Sequence, residues 1–128
     1  MKRLVLASLF CLAFAACSSI RHINVNDKGR VIEVKEGQSL SLTLAENPTT
    51  GFQWSLEPYD NLVLKPDGSP EFTPESFGRV GSGGEKTWRF LANKPGRATL
   101  RLNYCRPWVK GIPPAETYTV DILVKSSR

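Results

Sequence analysis

The sequence is poor in the residues that most chemistry requires. It has one histidine, three cysteines and one methionine in 128 residues, and after residue 16 no apolar run long enough to cross a bilayer. A single histidine, His22, leaves little for Cys-His or Ser-His catalysis and little for most metal centres. Basic residues number 17 and acidic ones 12, interspersed rather than in blocks. A nucleic-acid footprint is therefore not supported, and a solvated mixed surface is the better reading. With 41% apolar and 9% aromatic residues the composition is globular, and the length allows one domain.

What is present begins with a leader. Lys2 and Arg3 precede an apolar run from Leu4 to Ala16 broken only by Ser8, and Ser18, Ser19, Arg21 and His22 follow at once. This is the layout of a secretory signal peptide, too short for the roughly 20 apolar residues of a membrane-spanning helix. Phe14-Ala15-Ala16-Cys17 resembles a bacterial lipobox, with Phe14 in place of the usual leucine. That resemblance implies a signal peptide over residues 1–16 and lipidation of Cys17. Ser18 after the cysteine implies outer-membrane sorting within a bacterial envelope. The alternative is ordinary cleavage after Ala15, giving a soluble periplasmic or secreted protein. Cys11 leaves with the leader, so in a lipidated protein Cys105 is the remaining thiol and no internal disulfide is available.

Residues 17–27 read as a polar tether, and residues 28–128 as the domain. Apolar residues alternate through it: Ile32 and Val34; Leu40, Leu42 and Leu44; Phe52, Trp54 and Leu56; Trp88 and Phe90; Ala98, Leu100, Leu102 and Tyr104; Tyr118, Val120, Ile122 and Val124. Alternation of this kind marks strands with one face buried, which places Trp54 and Trp88 in the core. No stretch of the mature chain has the spacing of an amphipathic helix.

Turn residues separate these runs at Glu36-Gly37, Asn47-Pro48, Pro66-Asp67-Gly68, Gly81 to Gly84, Lys94-Pro95-Gly96 and Pro113-Pro114. The expected strands are 31–34, 39–44, 52–56, 62–64, 86–91, 97–104 and 117–124. Seven short strands punctuated this way predict an all-β, immunoglobulin-like antiparallel sandwich. Residues 66–78 have no assigned structure: Pro70 and Pro74 argue against a central strand, while Phe72 and Phe77 are expected to be buried.

In such a sandwich every second connection falls at the same end. Residues 46–51, 75–85 and 105–116 then cluster, and these carry the unusual sequences Asn-Pro-Thr-Thr-Gly, Gly-Ser-Gly-Gly and Arg-Pro-Trp. Three loops on one end of a rigid scaffold form a presenting surface.

These loops resemble a known family. Asn47-Pro48-Thr49-Thr50-Gly51-Phe52 is identical to the first signature of the chagasin-like inhibitors of papain-family cysteine peptidases. Gly81-Ser82-Gly83-Gly84 fits the second, Gly-x-Gly-Gly, and Arg106-Pro107-Trp108 the third. The resemblance implies a three-loop wedge that fills the peptidase cleft, with Thr49 and Thr50 over the catalytic cysteine and histidine. It also implies Trp108 on the primed side with Arg106 as a polar contact, and the glycine loop supplying backbone hydrogen bonds on the opposite flank.

Elementary physics agrees with these roles. Pro48 fixes its own φ and restricts Asn47, Gly51 can take φ > 0, and the two threonines stiffen the tip. Each piece also has a plainer reading: Asn-Pro-Thr-Thr-Gly as a tight turn, Gly81 to Gly84 as a flexible hairpin, Phe52 as a core residue, Trp108 folded back on the sandwich. Gly83-Gly84-Glu85-Lys86-Thr87 is superficially like a P-loop, but Glu85 interrupts Gly-Lys-Thr and a strand follows. The expectation is a monomeric, reversible, competitive inhibitor of papain-like cysteine peptidases, with no enzymatic activity, cofactor or metal. The alternative is an envelope-anchored binding or assembly module with another ligand.

Overall fold

The computed structural model describes residues 19–75 and 83–127. Its strands are β1 (Arg21–Ile23), β2 (Val31–Lys35), β3 (Ser39–Glu46), β4 (Gln53–Leu56), β5 (Leu64–Pro66), β6 (Glu71–Pro74), β7 (Gly84–Ala92), β8 (Gly96–Cys105) and β9 (Glu116–Lys125). One sheet has the order β1-β3-β7-β5, with β6 also on β7, and the other β2-β9-β8-β4. The alternating side chains meet between them. Ala98, Leu100 and Leu102 of β8 and Tyr118, Val120, Ile122 and Val124 of β9 are buried, while Arg97, Thr99 and Arg101 face outward. Leu40, Leu42, Leu44, Trp88 and Phe90 close the core from the other sheet, and both Trp54 and Trp88 lie in it. Burial of each large apolar side chain contributes about 1.5–3 kcal/mol before entropy is counted.

The sandwich departs from the expected all-antiparallel pattern in its first strand. That strand is split between the sheets: β1 pairs parallel with β3, and β2 pairs parallel with β9. The crossover is a 3₁₀ turn over Val25–Asp27 with Asn24 and Asp27 in a reciprocal capping box. Turn signals report antiparallel sequential neighbours, so parallel pairing between distant segments leaves no such mark.

Three further corrections concern the irregular stretches. The domain begins at Arg21 rather than Lys28, because residues 21–27, read as part of a tether, supply β1 and the capped turn, and Ile23 is buried. One inward side chain is too little for alternation to reveal. The 62–64 strand shifts to Leu64–Pro66, with Leu62 exposed and Val63 and Leu64 buried. Residues 71–74 form a strand, β6, that runs antiparallel along β7 from Thr87 to Gly84 and ends at Pro74. Among the described residues it pairs on one side only, the arrangement proline tolerates. Phe72 is exposed there and not in the core. Phe77 lies outside the described residues.

Candidate functional site

The register brings three loops to one pole. Glu46 at the end of β3 is opposite Gly84 at the start of β7, Gln53 of β4 is opposite Cys105 of β8, and Tyr104 is opposite Glu116 of β9. Residues 47–52 and 106–115 therefore leave the sandwich side by side, next to the described ends of the second connection, Glu75 and Gly83.

The first loop is a capped 3₁₀ turn. Asn47 Oδ1 accepts from the Thr49 amide at 3.2 Å and from the Thr49 hydroxyl at 2.6 Å. The Thr50 hydroxyl donates to the Asn47 carbonyl at 2.7 Å, and the Gly51 amide closes onto the Pro48 carbonyl at 3.0 Å. Gly51 then reverses the chain at φ 83°, a left-handed conformation suited to glycine. Pro48, Thr49 and Thr50 stay exposed at the tip. Both threonine hydroxyl protons are spent inside the loop, which leaves the oxygens facing outward chemistry only as acceptors.

Below the tip, both ends of the loop are tied together. Glu46, a buried carboxylate, accepts from the Trp54 backbone amide at 2.7 Å, and the Trp54 indole donates to the Ala45 carbonyl at 2.8 Å. Lys86 Nζ lies 4.0 Å from Glu46 Oε1 and 5.3 Å from the Trp88 ring centre. The Tyr104 hydroxyl accepts from the Asn47 amide at 3.3 Å, and its ring packs on Trp54 and Phe52. Glu46, Lys86 and Tyr104 escape a reading of the loop motifs. Their signal in the sequence is slight: a carboxylate at an inward-facing position just before Asn47, and an aromatic just before Cys105.

The third loop is joined to the first. Arg106 Nε donates to the Thr50 carbonyl at 3.3 Å, and its guanidinium lies 4.6 Å over the Phe52 ring. Phe52 is half-buried between Arg106 and Tyr104, so it belongs to the base of the loops and not to the central core. The Trp108 ring lies against Gly51, where an added Cβ would come 2.6 Å from Cη2. Trp108 nonetheless keeps 66% of its surface exposed and does not fold back on the sandwich. Val109 and Ile112 extend this apolar edge. With Phe52 and Cys105 they line a recess of about 160 Å³.

Of the second loop, Gly83 and Gly84 are described, while Gly81 and Ser82 lie outside the described residues. The Gly83 carbonyl accepts from the Glu75 amide at 3.1 Å, and a Cβ at Gly83 would sit 3.2 Å from the Glu46 carbonyl oxygen. Gly84 is buried against the Thr73 carbonyl and the Phe72 ring. The glycines thus let this backbone approach the foot of the first loop closely.

His22 is on β1, hydrogen-bonded to Ser41 Oγ at 2.7 Å, while Cys105 is half-buried at the base of the third loop. Among the described residues no group of three or more His, Cys, Asp or Glu side chains is placed to hold a metal ion.

Comparison with known proteins gives the same direction. The family model described as "Chagasin family peptidase inhibitor I42" matches residues 33–122. Amoebiasin-2 of Entamoeba histolytica is 26% identical over 126 residues, covering 98% of this chain and all of its own length. Chagasin of Trypanosoma cruzi is 26% identical over 98 residues, covering 72% of this chain and 86% of its own. The crystal structure of the cysteine protease inhibitor EhICP2 from Entamoeba histolytica superimposes with a TM-score of 0.72 at 23% identity, covering 83% of this chain and 96% of that one. The chain belongs to the chagasin family, whose members are peptidase inhibitors and not enzymes.

Proposed function

We propose that this protein is a reversible, competitive inhibitor of papain-like cysteine peptidases that places its three loops as one wedge in the active-site cleft. The observation that carries the reading is the joining of the first and third loops through Arg106, Phe52, Gly51 and Trp108. A rigid, continuous edge has little conformational entropy left to lose on binding. Three loops of this size cover roughly 800 Å² of a partner, the area of a stable complex.

The tip also explains inhibition without cleavage. A peptidase cleft holds its substrate extended, whereas Pro48–Thr50 is a 3₁₀ turn locked by Asn47 and followed by a left-handed glycine. No scissile bond at this tip can lie straight along the cleft without breaking those hydrogen bonds. Thr49 and Thr50 occupy the position over the catalytic pair. Trp108 and Arg106 take one flank of the cleft and Gly83 and Gly84 the other, with Gly81 and Ser82 assigned to the same contact by the Gly-x-Gly-Gly motif alone. An exposed tryptophan beside an arginine is a common binding hot spot.

The lipobox-like Phe14-Ala15-Ala16-Cys17 supports anchoring of this monomeric inhibitor to a bacterial envelope membrane through acylated Cys17. Steady-state inhibition of papain by the purified protein, over several substrate concentrations and with a serine peptidase as control, tests the main reading. Competitive inhibition of papain alone is expected. A folded protein that leaves papain untouched would favour the alternative of a binding module with another ligand.

A further inference from the structure

The parallel pairing of β1 with β3 fixes where the chain enters the domain. β3 runs from Ser39 toward Glu46 and the loop pole, and Arg21 of β1 pairs with Leu40 at its beginning. Gln38, in the turn before β3, donates from Nε2 to the Ser19 carbonyl at 3.1 Å. Ser19 is therefore held at the pole opposite the three loops. Cys17 precedes it by two residues, which covalent geometry limits to roughly 7 Å of extended chain. The stretch read as a tether is thus mostly part of the sandwich, and little of it is left to let the domain tumble.

Two aliphatic side chains are exposed at the same pole. Ile20 is 50% exposed and Leu62 64% exposed, and the Leu62 carbonyl accepts from Asn93 Nδ2 in the β7–β8 turn. The same pole carries Lys94 of that turn and the paired strand ends Lys35 and Lys125, with Lys125 ion-paired to Glu33 at 3.0 Å and Glu36 exposed in the β2–β3 turn. Exposed aliphatic side chains among lysines suit the boundary between headgroups and acyl chains.

We infer that the pole formed by the β2–β3 and β7–β8 turns, with Ile20, Leu62, Lys35, Lys94 and Lys125, rests on the lipid surface and points the three loops away from the membrane. The inference rests on the proposed lipidation of Cys17 and adds a fixed orientation to it. The eight residues of β3 alone span roughly 26 Å at ~3.3 Å per residue, so the loops stand clear of the headgroups. A peptidase arriving from solution then meets the loops, and the membrane does not compete for them.

The test uses the full lipidated chain, purified from membranes and reconstituted on phosphatidylethanolamine–phosphatidylglycerol vesicles containing a headgroup nitroxide lipid. Two single-cysteine forms are labelled with the same fluorophore in a Cys105→Ser background: Ser127→Cys beyond the end of β9, and Ile112→Cys on the third loop. Both positions are exposed, so the labels do not disturb the core. Quenching several-fold stronger at residue 127 than at residue 112 is expected. Equal quenching, or stronger quenching at residue 112, overturns the orientation while leaving the anchor intact if the protein floats with vesicles and Cys17→Ser does not. Failure of the wild-type chain to float overturns the anchor reading, and the orientation with it.

Discussion

The Trp108 indole occupies the space that a side chain on Gly51 would need, with Cη2 2.6 Å from the ideal Cβ position. Gly51 also has φ 83°. Gly51→Ala therefore meets two obstacles, a left-handed backbone costing about 1–2 kcal/mol for an L-residue and a displaced indole. The expected result is an inhibition constant raised about tenfold or more, since each 1.4 kcal/mol is a factor of ten. Titration against papain measures it, and an unchanged constant would show that the Gly51–Trp108 contact does not shape the binding edge.

Arg106 is expected to act inside the inhibitor. It holds the Thr50 carbonyl and covers the Phe52 ring. A hydrogen bond from a charged donor contributes about 1.5–3 kcal/mol and an exposed cation–π contact about 0.5–1 kcal/mol, part of which reappears as binding energy through preorganisation. Arg106→Ala should weaken inhibition by roughly tenfold. Arg106→Lys should recover little of it, because an ammonium cannot both stack flat on the ring and direct an N–H at the carbonyl. Full recovery by lysine would mean that charge alone matters.

Glu46 gives a stability prediction. Its carboxylate is buried, receives the Trp54 amide and sits near Lys86. Glu46→Ala leaves the buried Trp54 amide without its acceptor, while Lys86 keeps the Trp54 carbonyl at 3.5 Å and the Trp88 ring, and should cost about 1–3 kcal/mol. Glu46→Gln keeps an acceptor for Trp54 and should cost markedly less. Urea unfolding monitored by tryptophan fluorescence separates the two; equal losses would remove the hydrogen bond from the explanation.

Much of this was legible in the sequence, and the rest was hidden for identifiable reasons. Strands β8 and β9 alternate so regularly that their buried faces could be read residue by residue, and the loop motifs marked the pole. β1 was illegible because only Ile23 points inward, and its parallel partner β3 begins 18 residues after Arg21. β6 was concealed by Pro74, which ends an edge strand as readily as it excludes a central one. The foot of the first loop was missed for another reason. Glu46, Lys86 and Tyr104 are ordinary residues in their own strands and acquire a role only when β3, β7 and β8 come together.

Thr49→Ala and Trp108→Ala should separate binding from folding. Both residues are exposed at loop tips, and neither contributes to the central core. Trp108→Ala should cost about 2 kcal/mol or more of affinity, the range of a hot spot, and Thr49→Ala somewhat less, with melting temperatures close to wild type. Differential scanning calorimetry beside the inhibition assay is the check. Parallel loss of stability and inhibition would return Trp108 to a packing role.

Two tyrosines away from the loops make stability fall at alkaline pH. Tyr118 donates its hydroxyl to the Asn24 carbonyl at 2.6 Å, and burial, aided by the Asp27 charge, pushes its pKa up to about 12. Burial also raises that of Tyr59, whose hydroxyl has no hydrogen-bond partner among the described residues. The unfolded chain loses these protons near pH 10, whereas the folded chain retains them. Stability from this source is thus complete below pH ~10 and is lost as pH rises toward the folded values, because there the unfolded state binds fewer protons. Tyr59→Phe removes a buried unpaired hydroxyl, so it should stabilise the protein at pH 8 by up to ~1 kcal/mol and make the alkaline decline shallower. Tyr118→Phe should also flatten the decline, but it leaves the Asn24 carbonyl without its donor and should destabilise the protein at pH 8 by about 1 kcal/mol. Urea midpoints from pH 8 to 11 distinguish the cases. Equal destabilisation by both variants at pH 8 would show that the Tyr59 hydroxyl has a partner in solution.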